Sequence, residues 1–349
     1  MDWLTKFIYI VKNSVVGGNF IMLTPANASG KKSVFNGSRK SECSNEIKMS
    51  NDISDEQITR SNYITSVKNP DHKVKSGENI SKIADKYGIE ARTLMAANGL
   101  NEKSVLKLGQ TLKIPPTRKP KNVRNLNDVA KAMGVSPDFI KKLKSVEDSA
   151  HLPANKFHNT PYKDKGGVET IGIGHVVKPG EPRKLTDAQV CELCAKDLLK
   201  MEDNLSALLG GKKNYEKLPQ GLKEALLDMV FNKGTEIIEK TPGLLYCLKS
   251  GKYEAAVNKF TDIRTATGAR AERSGLAKRR LFDISLAMKM YNGKIPQSNI
   301  NTAQEVYNRG VALLRAECKK DGKNFQNIIA GYNKDIQSYL GNKIKLVTK

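Results

Sequence analysis

The sequence predicts an α+β protein: a mainly α-helical domain with a small β-hairpin sheet, a small βααβ module before it and a helical extension after it. Three observations lead to this prediction. Residues 74–115 place two short helical patterns between two short strand patterns. A Gly-rich, β-branched stretch at 160–177 interrupts a helical region that starts near Leu126. Two further amphipathic patterns follow, near 301–319 and 323–340.

The composition is that of a globular protein with a strong positive charge. Hydrophobic residues make up 39% of the 349 residues, so a packed core is expected. Lys and Arg outnumber Asp and Glu by 59 to 36, which gives a net charge of +23. The positive excess is spread along the chain and favours a polyanionic partner such as a bacterial wall or nucleic acid. Charge alone does not choose between these two.

Shifts in composition divide the chain into five parts. In chain order, they are a signal segment and disordered linker at 1–72, the βααβ module at 73–115, a Pro-containing basic linker at 116–125, the main helical domain at 126–293 and the helical extension at 294–349. The extension carries no motif. Its two amphipathic patterns indicate packing either on the helical domain or on a partner, such as an inhibitor.

The N-terminus has the order of a secretory signal. Lys6 and Lys12 precede a short apolar run at 15–23 and small residues at 26–28. The basic part is long and itself apolar, so a disordered or weakly membrane-associated tail is the alternative. No apolar run reaches the length of a membrane-spanning helix, so no stable span is expected. The prediction is a protein exported or delivered to the cell wall or periplasm.

The five Cys residues do not indicate a disulfide framework in a chain of this length. Cys191 and Cys194 have CxxC spacing, but they fall inside a helical pattern. No second Cys or His pair follows at zinc-ligand spacing. Neither a metal nor a cofactor is therefore predicted.

The βααβ module has a consistent internal pattern, in which apolar residues of its first helix recur at spacings of three, four and seven and Gly88 ends that helix. It resembles the LysM family. The matching residues are Val74, Gly77, Glu78, Ile80, Ile83, Ala84, Tyr87, Leu94, Asn98, Gly109, Gln110, Leu112, Ile114 and Pro115. The resemblance implies binding of glycans that contain N-acetylglucosamine, in peptidoglycan or chitin. It places the groove at Gly77, Glu78, Asn79, Ile80 and Asn98. A module retained for packing or protein binding is the alternative.

The motif YKDKGGVETIGIGH, at 162–175, is the strongest chemical signal in the chain. Its glycines permit tight turns around a hairpin that presents Asp164 and Thr170 near its mouth. Upstream, an amphipathic helix ends near Glu147, so two carboxylates and a hydroxyl converge where a helix meets a small sheet. Glycosidases use one carboxylic acid to protonate the leaving oxygen and a second group to manage water. The acid needs a partly apolar pocket, for which Val146 and Phe231 are candidate walls.

This motif resembles the phage-type lysozymes, glycoside hydrolase family 24. The matching residues are Tyr162, Asp164, Thr170, Ile171, Gly172, Gly174 and His175. The resemblance implies a muramidase that cleaves the β-1,4 bond between N-acetylmuramic acid and N-acetylglucosamine in peptidoglycan. It assigns Glu147 as the general acid, and Asp164 and Thr170 as the residues that position the attacking water, with inversion at the sugar carbon. It makes His175 a structural ion-pair or hydrogen-bonding residue near the site.

Two departures from the family pattern leave alternatives open. Glu147 lies 17 positions before Asp164, a wider spacing than the family usually has. Asp148 follows Glu147, where the family usually has Gly. Asp148 as the acid is therefore one alternative. A non-catalytic peptidoglycan-binding protein with a degenerate lysozyme-like domain is another.

A DNA-binding protein is a third hypothesis, because residues 126–143 have helix-turn-helix spacing and the chain is basic. Those helices end at Glu147, which favours a simple lead-in to the helix of the general acid. No specific nucleic acid partner is therefore predicted, and bacterial peptidoglycan remains the expected partner.

Overall fold

The structure is a computed structural model, and it describes residues 59–147, 152–153, 156–164, 167–261 and 273–347. These residues all belong to one compact unit, Asn51–Lys349. The predicted signal segment and most of the predicted first linker lie outside the described residues. Among the helices that are described, none has the length and apolar character needed to cross a membrane.

The N-terminal module has the predicted strand–helix–helix–strand order. Its elements are β2 (His72–Lys73), α1 (Ile80–Tyr87), α2 (Ala91–Ala97) and β3 (Thr111–Leu112). The two strands pair antiparallel, with His72 opposite Leu112. Helix α1 ends at Gly88, which adopts the left-handed conformation that favours glycine. The module encloses a small core of its own, formed by Val74, Ile83, Ala84, Leu94, Leu112 and Ile114.

The segment predicted as a second linker, 116–125, contains a strand instead. Strand β4 (Thr117–Pro120) pairs antiparallel with β1 (Ile64–Val67), which lies in the part predicted as the first linker. Pro120 is tolerated because it is the last residue of a strand in a two-stranded sheet, where a missing N–H costs no central ladder bond. The chain before the module and the chain after it therefore pair with each other.

Ion pairs join these flanks and the module to the helical domain. Glu202 is fully buried and contacts both Arg60, which precedes the module, and Arg118, which follows it. Within the module, Arg92 pairs with Glu239 at 2.7 Å. The module is thus docked on the helical domain and does not hang from a free linker.

The helical domain begins with α3 (Leu126–Met133) and α4 (Pro137–Glu147). The apolar faces of both helices are buried in the main core, at positions such as Val129, Phe139 and Ile140. The structure therefore contains the two helices that the helix-turn-helix spacing predicts, but their apolar residues pack inside the domain. The described part of helix α4 runs as far as Glu147, the position near which the sequence predicts its end.

A three-stranded antiparallel sheet follows, in the order β5-β6-β7. The strands are β5 (His158–Lys163), β6 (Glu169–Gly172) and β7 (His175–Val176). Tyr162 lies opposite Thr170 and Ile171 lies opposite His175. The central strand β6 carries the Thr-Ile-Gly part of the motif, so the motif residues are held from both sides.

The long helix α5 (Asp187–Leu208) runs next to this sheet. It begins at the predicted capping box, in which Thr186 and Gln189 bond each other's backbone N–H. It continues well beyond the predicted end near Leu199, because Leu205 and Leu208 extend its buried face. Cys191 and Cys194 are buried on it, and burial raises the pKa of the Cys191 thiol to about 12.

The remaining helices close the core. They are α6 (Lys212–Glu216), α7 (Gln220–Lys233), α8 (Glu236–Glu239), α9 (Pro242–Lys249), α10 (Tyr253–Val257) and α11 (Ser274–Met288), then α12 (Gln297–Lys320) and α13 (Phe325–Leu340) of the C-terminal extension. Short 3₁₀ turns follow α11 and α13.

The C-terminal extension packs on the helical domain, one of the two arrangements that the sequence left open. Tyr307, Val311, Ile329 and Ile336 are buried in the same core as the rest of the domain. Helices α11, α12 and α13 approach closely at Gly310, where an added Cβ would lie 2.2 Å from the Tyr332 hydroxyl oxygen. The extension is therefore an integral part of the fold.

Candidate active site

Glu147 lies at the end of α4 with 19% of its side chain exposed. Its Oε1 forms an ion pair with Arg279 Nη1 of α11, at 2.5 Å. Its Oε2 faces the turn between β6 and β7, where a Cβ added to Gly174 would lie 3.2 Å away. The same added Cβ would lie 3.0 Å from the ring of Phe231, so backbone and an aromatic edge enclose the carboxyl group.

This enclosure changes the acidity of Glu147. Burial raises the pKa of the Glu147 carboxyl, and the nearby Arg279 opposes that change without cancelling it. Removing a carboxylate from water disfavours its charged form, which is the condition a general acid needs to hold its proton near neutral pH.

Arg279 is shared between two acids. Its Nε and Nη2 donate to the two oxygens of Asp228, at 2.8 and 3.1 Å. Asp228 is fully buried on α7. A bidentate pair of this kind holds the guanidinium plane in place and takes up much of its charge. Arg279 can therefore orient Glu147 without forcing it to ionise.

A second pair lies behind the first. Arg280 donates to Asp283 at 2.7 Å, and both side chains are buried. Burial, together with the negative charge of Asp228, holds the pKa of Asp283 well above its usual range. Burial and then the positive charge of Arg279 lower the pKa of Lys233. Three cationic side chains therefore lie close together on α7 and α11, namely Lys233, Arg279 and Arg280.

Asp164 and Thr170 both hydrogen-bond to the backbone of Val168, which precedes β6. The Asp164 side chain accepts a hydrogen bond from the Val168 N–H at 2.8 Å, and the Thr170 hydroxyl donates to the Val168 carbonyl at 3.2 Å. Thr170 is only 4% exposed because it lies on the central strand, so its hydroxyl is more enclosed than an open hairpin mouth suggests. The same sheet continues into the turn at Gly174 that faces Glu147.

His175 is held by two carboxylates. Its Nδ1 lies 2.7 Å from Asp197 and its Nε2 lies 2.9 Å from Glu181. The hydrogen bond that His175 donates to Asp197 is the main cause that raises the pKa of His175. Both ring nitrogens are engaged, so the imidazole ties β7 to α5 and to the following loop.

Comparison with known families agrees with this geometry. Residues 154–282 match the family described as phage lysozyme, and residues 72–115 match the LysM domain. The chain contains a phage-lysozyme domain preceded by a LysM domain. The lysozyme match includes Asp164, Thr170, Asp228 and Arg279 and begins after Glu147. The chain is a lysozyme-type glycoside hydrolase that degrades peptidoglycan.

Two phage proteins of known structure are among those similar to this chain. The active form of the P1 phage endolysin Lyz is 17% identical, covers 49% of this chain and 98% of its own, and has a TM-score of 0.39. A P22 lysozyme mutant is 26% identical, covers 42% of this chain and 92% of its own, and has a TM-score of 0.32. No curated protein matches the chain.

The residues that the LysM resemblance assigns to the glycan groove are four consecutive ones at 77–80 and, separately, Asn98. Gly77 is exposed in the left-handed conformation, and Ile80 is half-buried. Glu78 accepts the Lys75 N–H at 2.8 Å and Asn79 caps α1, so both side chains already serve the local fold. These four residues are consecutive and form one turn of the LysM domain.

Asn98 is used entirely within the LysM domain. Its Nδ2 donates to the carbonyls of Leu94 and Lys113, both at 2.9 Å, and its Oδ1 accepts the Lys113 N–H at 2.8 Å. The residue therefore fixes the end of α2 against the second strand.

Sequence reasoning gave no role to Asp228 and Arg279 of the lysozyme domain. A signal was present, because Asp228 interrupts the apolar run from Ala225 to Val230. A charge inside such a run is costly unless it is paired. Its partner lies 51 positions away on α11, however, and only the folded chain identifies it.

Replacing Asp228 by Asn is expected to move the pH–rate profile of the lysozyme domain. The negative charge of Asp228 raises the pKa of Glu147, so its removal lowers that pKa. A general acid acts while protonated, so the high-pH limb of the profile should move to lower pH, with activity retained below it. The measurement is kcat/KM on soluble glycan strands across the pH range.

Asp283→Asn is the matched control, because Asp283 pairs with Arg280 and is not among the groups that most affect the pKa of Glu147. It should leave the high-pH limb in place. An unchanged limb in Asp228→Asn, in a variant that is folded, would contradict the electrostatic role.

Proposed function

We propose that the chain is a muramidase that hydrolyses the β-1,4 bond between N-acetylmuramic acid and N-acetylglucosamine in bacterial peptidoglycan, guided by its LysM domain. The observation that carries this proposal is the Glu147 carboxyl. It is enclosed at the end of α4, its pKa is raised by burial, and it faces the sheet that bears Asp164 and Thr170.

In this mechanism Glu147 donates its proton to the glycosidic oxygen as the bond to the leaving sugar breaks. Arg279 holds the carboxyl in place, and after proton transfer it stabilises the carboxylate that is left. The bidentate contact with Asp228 keeps Arg279 from drawing the proton off Glu147 beforehand.

Asp164 and Thr170 position the attacking water on the other face of the sugar. The Val168 N–H holds the Asp164 carboxylate, which accepts a proton from water as it attacks. The Thr170 hydroxyl donates to Val168, so its oxygen keeps lone pairs that can accept a hydrogen bond from that water. Attack opposite the leaving group inverts the configuration, so a β-linked substrate gives an α-anomer.

The LysM domain brings the lysozyme domain to its substrate. Through Glu202 and the β1–β4 pair it is docked at a fixed distance from the lysozyme domain. Binding of one stretch of glycan by the LysM domain then raises the local concentration of neighbouring stretches at the site. We propose that Gly77, Glu78, Asn79, Ile80 and the loop after Asn98 line the glycan groove. This function requires that the protein be exported or delivered to the cell wall.

Digestion of purified sacculi tests the bond that is cleaved. The expected products carry N-acetylmuramic acid at a new reducing end, identified by borohydride reduction and mass spectrometry. A reducing end of N-acetylglucosamine, or a 1,6-anhydro end, would assign a different bond or reaction. Sacculi incubated without protein are the control for spontaneous release.

A further inference from the structure

The C-terminal extension forms one wall of a groove that begins at the candidate active site. The groove has a volume of about 930 Å³. At one end it is lined by Val146 and Arg279, the neighbours of Glu147. Its far wall is formed by the end of α12, including Lys320. The extension therefore reaches the region in which a bound glycan would lie.

The acids that line this groove are already satisfied. Glu317 accepts hydrogen bonds from the N–H and the hydroxyl of Ser274, at 2.8 and 2.6 Å. Asp321 pairs with Lys323 at 3.0 Å. Both carboxylates are therefore held by contacts within the protein.

Two cations that line the groove have no such partner. Within the part of the chain that the structure describes, neither Arg273 nor Lys320 takes part in an ion pair, and both are exposed. Arg273 also lies near enough to Lys233 to lower its pKa, so positive potential extends from the groove to Glu147. The groove is complementary to an anionic ligand.

We propose that Arg273 and Lys320 bind carboxylates of the peptide stems of peptidoglycan during hydrolysis. This inference rests on the proposed function. Stems project from the muramic acid residues of the glycan, so a stem emerges beside each bond of the proposed type. A groove that starts next to the acid and carries unpaired cations suits such a stem. The C-terminal extension then acts in substrate selection as well as in folding.

The test compares substrates with and without stems, using the full chain. Arg273→Gln combined with Lys320→Gln is expected to slow hydrolysis of stem-bearing glycan by about fivefold to tenfold, the effect of two partly exposed charge contacts. On strands from which an amidase has removed the stems, the rate should stay within about twofold of wild type, because the lost contacts have no partner there. High salt should shrink the difference on stem-bearing glycan.

The control is Lys319→Gln combined with Lys334→Gln, which removes the same charge from exposed positions of α12 and α13 that do not line the groove. It should behave as wild type on both substrates. Equal rates for the groove variant and wild type on stem-bearing glycan would overturn the inference. An equal loss on both substrates would also overturn it.

A binding measurement separates this inference from the proposed function. Calorimetric titration of Glu147→Gln with soluble fragments should give tighter binding of stem-bearing than of stem-free glycan, and the groove substitutions should abolish that difference. Wild type that cleaves neither substrate would refute the muramidase proposal. The titration would still decide on the groove, because equal affinity for the two fragments would refute the stem site.

Discussion

Glu147→Gln is expected to lower the rate of peptidoglycan hydrolysis by about 10³-fold, the contribution of a well-placed general acid. Glutamine keeps the shape of the side chain but has no proton to give to the leaving oxygen. The measurement is the release of new reducing ends from sacculi, with sacculus binding recorded in parallel. Binding should persist, because the LysM domain is unchanged.

The same variant should remain folded at neutral pH. Since burial raises the pKa of Glu147, the folded state disfavours the ionised carboxylate relative to the unfolded chain. A neutral glutamine removes that cost, so thermal unfolding should not occur at a lower temperature than in wild type. Loss of activity in a stable protein would then report on chemistry.

Glu305→Gln is the matched control, because Glu305 is exposed on α12. It should retain wild-type activity. If Glu147→Gln keeps more than about a tenth of the wild-type rate, far above what loss of a general acid leaves, Glu147 is not the acid. Asp148→Asn then becomes the next variant to assay, although Asp148 lies outside the described residues.

Glu202→Ala is expected to lower the free energy of unfolding by about 3–5 kcal/mol, the cost of breaking a buried ionic cluster from one side. Glu202 is only 1% exposed and contacts Arg60 at 2.7 Å and Arg118 at 3.3 Å. Its removal leaves two half-enclosed guanidinium groups without their shared counter-charge. Chemical denaturation followed by circular dichroism gives the free energy.

The effect of Glu202 should depend on pH. Burial alone would raise the pKa of the Glu202 carboxyl, but Arg118 and Arg60 hold it below its usual range. The stabilisation is therefore present above the ordinary carboxyl pKa and is lost as the pH falls through the lowered value. The gap between wild type and Glu202→Ala should narrow in acid.

Asp203→Ala is the control for Glu202→Ala. Asp203 is adjacent on α5, is 33% exposed and, among the residues that the structure describes, forms its ion pair with Arg118. Its loss should cost about 1 kcal/mol or less, as for other accessible pairs. Equal destabilisation by the two variants would mean that Glu202 has no special role in docking the LysM domain.

Local patterns were sufficient to predict most elements. The capping box at Thr186, the stop at Gly88 and the helix that ends at Glu147 each depend on residues within one or two turns. The strand at 117–120 was missed because its partner lies about fifty residues earlier and its sequence reads as a basic, Pro-containing linker. Strand pairing over that distance leaves no periodic trace in either segment.

The candidate site likewise combines features that the local sequence predicts with features that depend on distant residues. The residue types and spacing from Tyr162 to His175 were enough to predict a hairpin, and their resemblance to the phage-type lysozymes implied the chemistry and the roles proposed for Asp164 and Thr170. The helix-end position of Glu147 was readable as well. Those features are local, because turns, caps and amphipathic faces are set by neighbours in the chain.

The charged environment of Glu147 came from tertiary structure alone. Arg279 and Gly174 approach its carboxyl from two other parts of the chain, and Asp228 acts on it through Arg279. The same holds for the C-terminal extension, whose two helices could have packed on a partner until their burial against α11 was seen. Burial and electrostatic potential are sums over everything near a group in space, and sequence order does not record those neighbours.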